Sequence, residues 1–256
     1  MLSELLAGAL SDAAERRLTR PFAAVESAAL DRAPAIDALH ALSPADRVKI
    51  IAEVKRASPS RGTLAEISDP AALAVSYEFG GASAISVLTE GRRFLGSLAD
   101  LEQVRAAVSV PVLRKDFIGE PYQVLEARAA GADLVLLIVA ALDQATLGSL
   151  QTLVRELGMT ALVETHSAEE VDRALDVGAS LVGVNARNLS TFELDQELFG
   201  RLADRIPSGV VRVAESAVKT AADVAHYRAA GADVVLVGEA LVTNDPILTL
   251  TEFLAV

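Results

Sequence analysis

The hexapeptide Arg-Ala-Ala-Gly-Ala-Asp occurs twice in this chain, at 128–133 and at 228–233, each time closing a helix-like stretch and opening an apolar run. Gly80-Gly-Ala-Ser83 and Val177-Gly-Ala-Ser180 hold the same place in two further units. A glycine at that point suits the left-handed residue that ends a helix. The helix, glycine, strand unit therefore occurs at least four times, and the chain has to be read as a repeat.

Short apolar runs mark the strands of that repeat, at 48–52, 82–88, 110–113, 134–139, 160–163, 181–184, 210–213 and 234–237. Between them lie amphipathic helical stretches such as 70–79, 98–108, 121–130, 168–177 and 221–230. Alternating strands and helices imply parallel strands joined by right-handed crossovers. Eight such units in 256 residues predict an α/β fold, a closed (β/α)8 TIM barrel, which typically takes about 250 residues. A doubly wound open sheet is the alternative, but no Gly-x-Gly-x-x-Gly follows the first strand. Residues 1–47 contain no strand-like run. Leu2, Leu5, Leu6, Ala9 and Leu10, then Phe22, Val25, Ala29 and Leu30, recur at helical spacing, punctuated by Pro21 and Pro34. The expectation is one barrel domain over 1–256, with 1–47 as an N-terminal extension of two or three short helices.

A formal net charge of −12 argues against a nucleic-acid binder, so any anion has to be caught by a local cluster of cations. The absence of cysteine removes disulfides, thiolate metal sites and a cysteine nucleophile, and suits a reducing compartment. Met1-Leu-Ser-Glu-Leu-Leu lacks the basic start of a signal peptide, and the longest apolar run, 134–142, falls short of the ~20 residues of a membrane helix. A cytoplasmic protein without membrane contact is expected.

Chemistry in such a barrel sits where the strands end and the loops converge. Glu53 and Lys55 share one face at the end of the first strand, because successive strand residues alternate sides. The later strand ends add Lys115, in step with Leu113 and facing inward while Arg114 faces the helices, then Glu164, Asn185 with Arg187 beyond it, Glu215 with Ser216, and Gly238 with Glu239. Taken alone, Glu53 and Lys55 could be an incidental ion pair, and several such charges can plug a barrel as salt bridges. Three glutamates and two lysines at inward positions point instead to an acid–base site with perturbed pKa values. No His, Asp and Glu spacing resembles a metal cage, and no cofactor is expected. The turn into the helix at Gly238 favours an anion, and Lys55 and Arg187 can add charge to it. His166, close after Glu164, either helps to position that loop or, the reading its place favours, caps or faces solvent; His40 and His226 read as structural.

These stretches are similar to those of the indole-3-glycerol phosphate synthase family. The resemblance is carried by Ile51-Ala-Glu-Val-Lys-Arg-Ala-Ser-Pro-Ser60, Ser86-Val-Leu-Thr-Glu90, Pro111-Val-Leu-Arg-Lys-Asp-Phe117 and Ala161-Leu-Val-Glu164. It continues through Gly183-Val-Asn-Ala-Arg-Asn-Leu189, Ala214-Glu-Ser216 and Leu236-Val-Gly-Glu-Ala-Leu241. It spans 50–245, and the first 45 residues share with the family only a helical character. The resemblance implies closure of 1-(2-carboxyphenylamino)-1-deoxyribulose 5-phosphate to indole-3-glycerol phosphate, with loss of carbon dioxide and water. It implies Lys115 as the acid at the ribulose carbonyl, Glu164 as base in the dehydration with Lys55 as a second acid, and Glu53 as the carboxylate orienting both lysines. Asn185 and Glu215 match residues that hold substrate hydroxyls. Ser58, Lys55, Ser216, Gly238 and the Glu239 amide match the phosphate end. Pro59, Phe94, Phe117, Leu136 and Leu189 match the apolar wall for the anthranilate ring, although ordinary packing also accounts for such residues. A small phosphorylated substrate, a monomer or weak homodimer and contacts with other tryptophan-pathway enzymes complete the expectation.

One position departs from the family, which reads Glu-Ser-Gly where this chain reads Glu215-Ser216-Ala217. If that position needs a positive φ, alanine is strained there and phosphate binding weakens. Phosphoribosylanthranilate isomerase is the nearest other enzyme, but its cysteine base has no counterpart here. A phosphosugar-binding barrel without activity is the non-enzymatic alternative, for which Lys55, Lys115 and Glu164 together would be unnecessary.

Overall fold

The computed structural model describes residues 1–59, 61–188, 191 and 193–256. Eight parallel strands close on themselves: β1 Lys49–Val54, β2 Ala84–Leu88, β3 Val112–Lys115, β4 Leu134–Ile138, β5 Thr160–Thr165, β6 Leu181–Asn185, β7 Val211–Glu215 and β8 Val234–Val237. Closure comes from β1, which pairs with β8 through Ile51 and Leu236 and with β2 through Ile51 and Ala84. The architecture is a (β/α)8 barrel.

The alternation of each strand separates two cores. Ile51, Ala84, Leu113, Leu134, Leu136, Leu162, Leu181, Val213 and Leu236 fill the barrel interior. Their sequence neighbours, among them Ala52, Val112, Val135, Val163, Val182 and Val237, pack outward under the helices. Arg114, fully buried, obeys the same rule: it faces the helix layer, donating to the Gln123 carbonyl (2.7 Å) and Asp116 (2.9 Å). Lys115, one residue on, faces the mouth.

The helices begin where their sequences stop them from beginning earlier. Asp69, Ser97, Asp143, Ser167 and Thr220 each accept a backbone N–H from the first turn that follows. Those caps open α4 Pro70–Phe79, α5 Leu98–Ala107, α7 Gln144–Glu156, α8 Ala168–Asp176 and α10 Ala221–Ala229, with α6 Pro121–Ala130 between α5 and α7 and α9 Leu198–Ala203 between α8 and α10. Each of the four repeat units does carry a glycine at positive φ after its helix: Gly81, Gly131, Gly178 and Gly231.

The N-terminal segment wraps the barrel from top to bottom. Helix α1, Leu2–Thr19, places Leu5 and Ala9 against the interior cluster at the mouth. Its Arg16 forms a two-pronged ion pair with the buried Glu126 of α6 (2.6 and 2.7 Å). Helix α2, Phe22–Leu30, packs Val25 and Ala29 on Tyr122 and Leu125 of the same helix. Helix α3, Ala38–Ala41, sits by the strand starts, where the Ile36 amide donates to Asp133 just before β4. Ala38 and Leu42 there close the interior from below. Beyond β1 the chain makes a small antiparallel ladder, 57–58 against 62–63, which the sequence pattern did not announce. No described helix is long and apolar enough to cross a membrane.

Candidate active site

Glu53 is the hub of the mouth. It ends β1 on the inward face, 1% exposed, with Oε1 2.6 Å from Lys55 Nζ and Oε2 3.0 Å from Lys115 Nζ. Burial alone pushes its carboxyl up, but the two lysines outweigh burial and hold it at about 2. Room for this cluster is made by Gly238, whose absent Cβ would lie 2.4 Å from Glu53 Oε1 and 2.8 Å from Lys55 Nζ.

Lys115 is the second centre. Burial lowers its pKa, yet Glu53, Glu215 and Glu164 together raise it well above the usual lysine range. Two further carboxyls lie near Lys115 with opposite tendencies, Glu215 on the cavity wall and Glu164 buried off it. Glu164 is held low, because a nearby imidazole, Lys115 and the Asn185 side chain outweigh its burial. Glu215 is pushed well up, by burial first and then by the negative charge of Glu164, with Lys115 opposing. Two buried carboxyls divided in this way can act as a base and a proton-bearing donor. Gly183 in β6 makes Glu215 possible: a Cβ there would stand 2.1 Å from Glu215 Oε1.

Asn185 organises the far wall. Its Oδ1 accepts from the Ser216 hydroxyl (2.8 Å) and the Arg187 amide (3.0 Å), which turns its amide nitrogen towards Glu164. Ser216 and Ala217 both lie in the left-handed region, at φ 69° and 57°. The strained alternative foreseen for Ala217 is therefore the one realised. Among the described residues no three His, Cys, Asp or Glu side chains are grouped to hold a metal ion.

The cavity above this floor is lined by Glu53, Lys55, Ser58, Pro59, Phe94, Lys115, Phe117, Asn185, Arg187, Glu215, Ser216, Ala217, Gly238 and Glu239, fourteen of the residues singled out from the sequence. Phe94 and Phe117 meet at 6.1 Å between ring centres. Phe94 is presented by a loop tied to buried Glu90, which accepts the amides of Arg92, Arg93 and Phe94 at 2.7–2.9 Å. Leu136 and Glu164 lie off the lining. Leu136 packs inside the barrel, and Glu164 is 2% exposed, in register with Ile138. Leu189 and Ser60 fall outside the described residues. The lining also includes Leu5, Leu194, Val218, Lys219 and Leu236. Leu236 was within reach of the two-residue period, and Gly183 of the rule that a lone glycine inside a strand marks a close approach. Leu5 had no such signal, because α1 reaches the mouth only through tertiary packing. His166 does not face solvent or cap a helix: it stands 3.3 Å from Glu164.

A family model described as indole-3-glycerol phosphate synthase matches residues 2–252. The chain belongs to the indole-3-glycerol phosphate synthase family. It is thus a carboxy-lyase of tryptophan biosynthesis, closing the indole ring of indole-3-glycerol phosphate with loss of carbon dioxide and water. A relative of that name from Leifsonia xyli is 74% identical over 253 residues, covering 99% of this chain and 97% of the relative. Another, from Mycobacteroides abscessus, is 60% identical over 247 residues, covering 96% and 90%. The match begins at residue 2, so the N-terminal helices belong to the family's sequence too, although no short motif there revealed it. Two solved structures share the fold. A Clostridium perfringens N-acetylmannosamine-6-phosphate 2-epimerase has a TM-score of 0.61 at 14% identity, covering 76% of this chain and 88% of its own. A Pyrococcus furiosus thiamine phosphate pyrophosphorylase has a TM-score of 0.60 at 15% identity, covering 80% and 93%.

Proposed function

We infer that the reaction runs by lysine and glutamate acid–base catalysis at the barrel mouth described above. The observation that carries this reading is the bridging of Lys55 and Lys115 by one buried carboxylate, Glu53. Glu53 fixes both ammonium groups where each can donate, and its charge favours the protonated form of Lys115. Lys115, deepest of the two in negative surroundings, polarises and protonates the ribulose carbonyl as the anilino ring carbon attacks. Departure of the carboxylate as carbon dioxide restores part of the conjugation. In the dehydration the hydroxyl leaves as water with a proton from Lys55, and Glu164, held ionised, removes the ring proton. Glu215, whose carboxyl is pushed well up, holds a substrate hydroxyl, and Asn185 with Ser216 completes that polar wall. A positioned acid or base contributes roughly 10²–10⁴-fold, and folding the chain so that ring carbon and carbonyl meet contributes further.

The phosphate is placed against Ser58, Arg187, the amides of Ala217 and Glu239, and Gly238. The anthranilate ring lies on Pro59, Phe94 and Phe117, with Leu136 in the same apolar cluster as Phe117. The whole chain acts as one barrel domain, with α1 of the 1–47 extension at its mouth and α3 at its lower end, in the cytoplasm and as a monomer or weak homodimer. The division of acid work is tested with Lys55→Met and Lys115→Met, following substrate loss and indole fluorescence separately. Ring closure should fail in Lys115→Met, and a ring-closed intermediate should accumulate in Lys55→Met. Intermediate accumulation in Lys115→Met instead would reverse the two roles.

A further inference from the structure

Glu164 has a neighbour that the reaction outlined above does not use. His166 follows it by two residues, so its side chain leaves the end of β5 on the same inward side. Its Nε2 lies 3.3 Å from Glu164 Oε1, and its Nδ1 lies 3.2 Å from Glu170 Oε2. The same Glu170 oxygen accepts the His166 backbone N–H at 2.8 Å. Glu170 is itself fixed in the first turn of α8, where its amide donates to the capping Ser167. The ring is therefore gripped at one nitrogen, and the other is turned to Glu164. All three side chains are shielded, at 2% exposure for Glu164, 14% for His166 and 18% for Glu170.

The surroundings make this contact consequential. The charged and polar groups facing Glu164 are Lys115 from β3, Glu215 from β7, Asn185 from β6 and His166 from its own strand end, with Glu53 of β1 behind Lys115. Lys115 makes its ion pair with Glu53, so among the described residues the ion pair on Glu164 comes from His166. Without it, a sealed carboxylate beside Glu215 would tend to take up a proton and cease to be a base.

We propose that His166, clamped by Glu170, is the positioning residue of Glu164, supplying the positive charge that keeps this carboxylate ionised and aimed at the substrate. The proposal rests on the reading of Glu164 as the base. It agrees with the electrostatics of the triad: burial lowers the imidazole pKa, but Glu164 and Glu170 together push it up to about 10. The imidazolium persists through neutrality, unlike an ordinary histidine.

The test uses His166→Gln, which keeps a donor near Glu164 but not the charge, with Glu170→Gln alongside. In His166→Gln, kcat at mildly acidic pH should fall on the order of tenfold, recover towards the wild-type value at alkaline pH, and leave KM little changed. Glu170→Gln should shift the profile the same way, by less. A profile that does not move, or a loss equal at every pH, would overturn the proposal. Ring ¹⁵N NMR of the wild-type protein needs no variant to fold: both His166 nitrogens should stay protonated through neutral pH, and an ordinary titration near 6.5 overturns the idea as well. Glu164→Gln separates the two layers. An active Glu164→Gln refutes the base reading itself, whereas an inactive one with a wild-type profile for His166→Gln refutes only the role of His166.

Discussion

The Glu53 carboxylate lies 3.0 Å from the Lys115 ammonium, at the closed floor of the barrel mouth. Its other oxygen binds Lys55, so one substitution disturbs both cations. Removing one partner of a buried ion pair is more damaging than exchanging the whole pair. Glu53→Gln should therefore lower kcat by about 10² or more, read from indole fluorescence. A variant with near-wild-type kcat would separate Glu53 from the chemistry.

The same contact sets a pH dependence of stability. The Glu53 carboxyl is ordinary, at 4.5, in the unfolded chain and about 2 in the folded one. A depressed folded pKa contributes stability that is fully present above 4.5 and is lost as pH falls towards 2. The shift corresponds to about 3 kcal/mol. Urea unfolding at successively lower pH should show the wild-type protein losing stability across that window more steeply than Glu53→Gln. Parallel curves for the two proteins would contradict the assignment.

Much of this floor could be read before any coordinates. Lys115 was placed inward and Arg114 outward by the two-residue period, and both positions hold because each strand has one core on either side. The opposite tendencies of Glu164 and Glu215 were not legible. They depend on charges that arrive from four different strands, and no local spacing encodes those distances. The choice between the two readings of His166 was not legible for the same reason: its partner Glu170 lies in the next helix, and no local spacing puts the ring against Glu164. Leu5 was recognised as part of a helical pattern but not as lining, because nothing in α1 states where it docks.

A second glycine supports a prediction with its own control. At Gly183 a Cβ would stand 2.1 Å from Glu215 Oε1 and 3.2 Å from Leu162, so Gly183→Ala must displace the buried carboxyl. A displacement near 1 Å can cost about 10² in rate. Gly158, at φ 73° with open space around it, isolates backbone strain from crowding. Gly158→Ala should lose on the order of 1 kcal/mol in thermal unfolding with kcat intact. Gly183→Ala should lose kcat out of proportion to any loss of stability.

Helix α1 offers a direct probe of the mouth. Leu5 lines the cavity, while Arg16 anchors the helix on Glu126 well away from it. Leu5→Ala should raise KM several-fold with the helix still docked, since a leucine side chain is worth about 1.5–3 kcal/mol when fully buried and its contact with a ligand only part of that. Arg16→Ala should loosen α1 and raise KM together with amide exchange in residues 2–19. An unchanged KM in both would remove α1 from the substrate site.

Ala217 carries the last prediction. Its φ of 57° follows directly on the 69° of Ser216, so two consecutive non-glycine residues occupy the left-handed region beside the Glu239 turn. That conformation costs an L-residue roughly 1–2 kcal/mol, which glycine avoids. Glycine also frees the unfolded chain, at a cost of about 0.4–1 kcal/mol, so Ala217→Gly should change thermal stability little. The effect belongs in binding instead. Without its Cβ the residue 217 amide can approach an anion more closely, and strain no longer resists the turn. Ala217→Gly should therefore lower KM and tighten inhibition by inorganic phosphate, with kcat nearly unchanged. If neither constant moves, this turn does not limit how the phosphate is held.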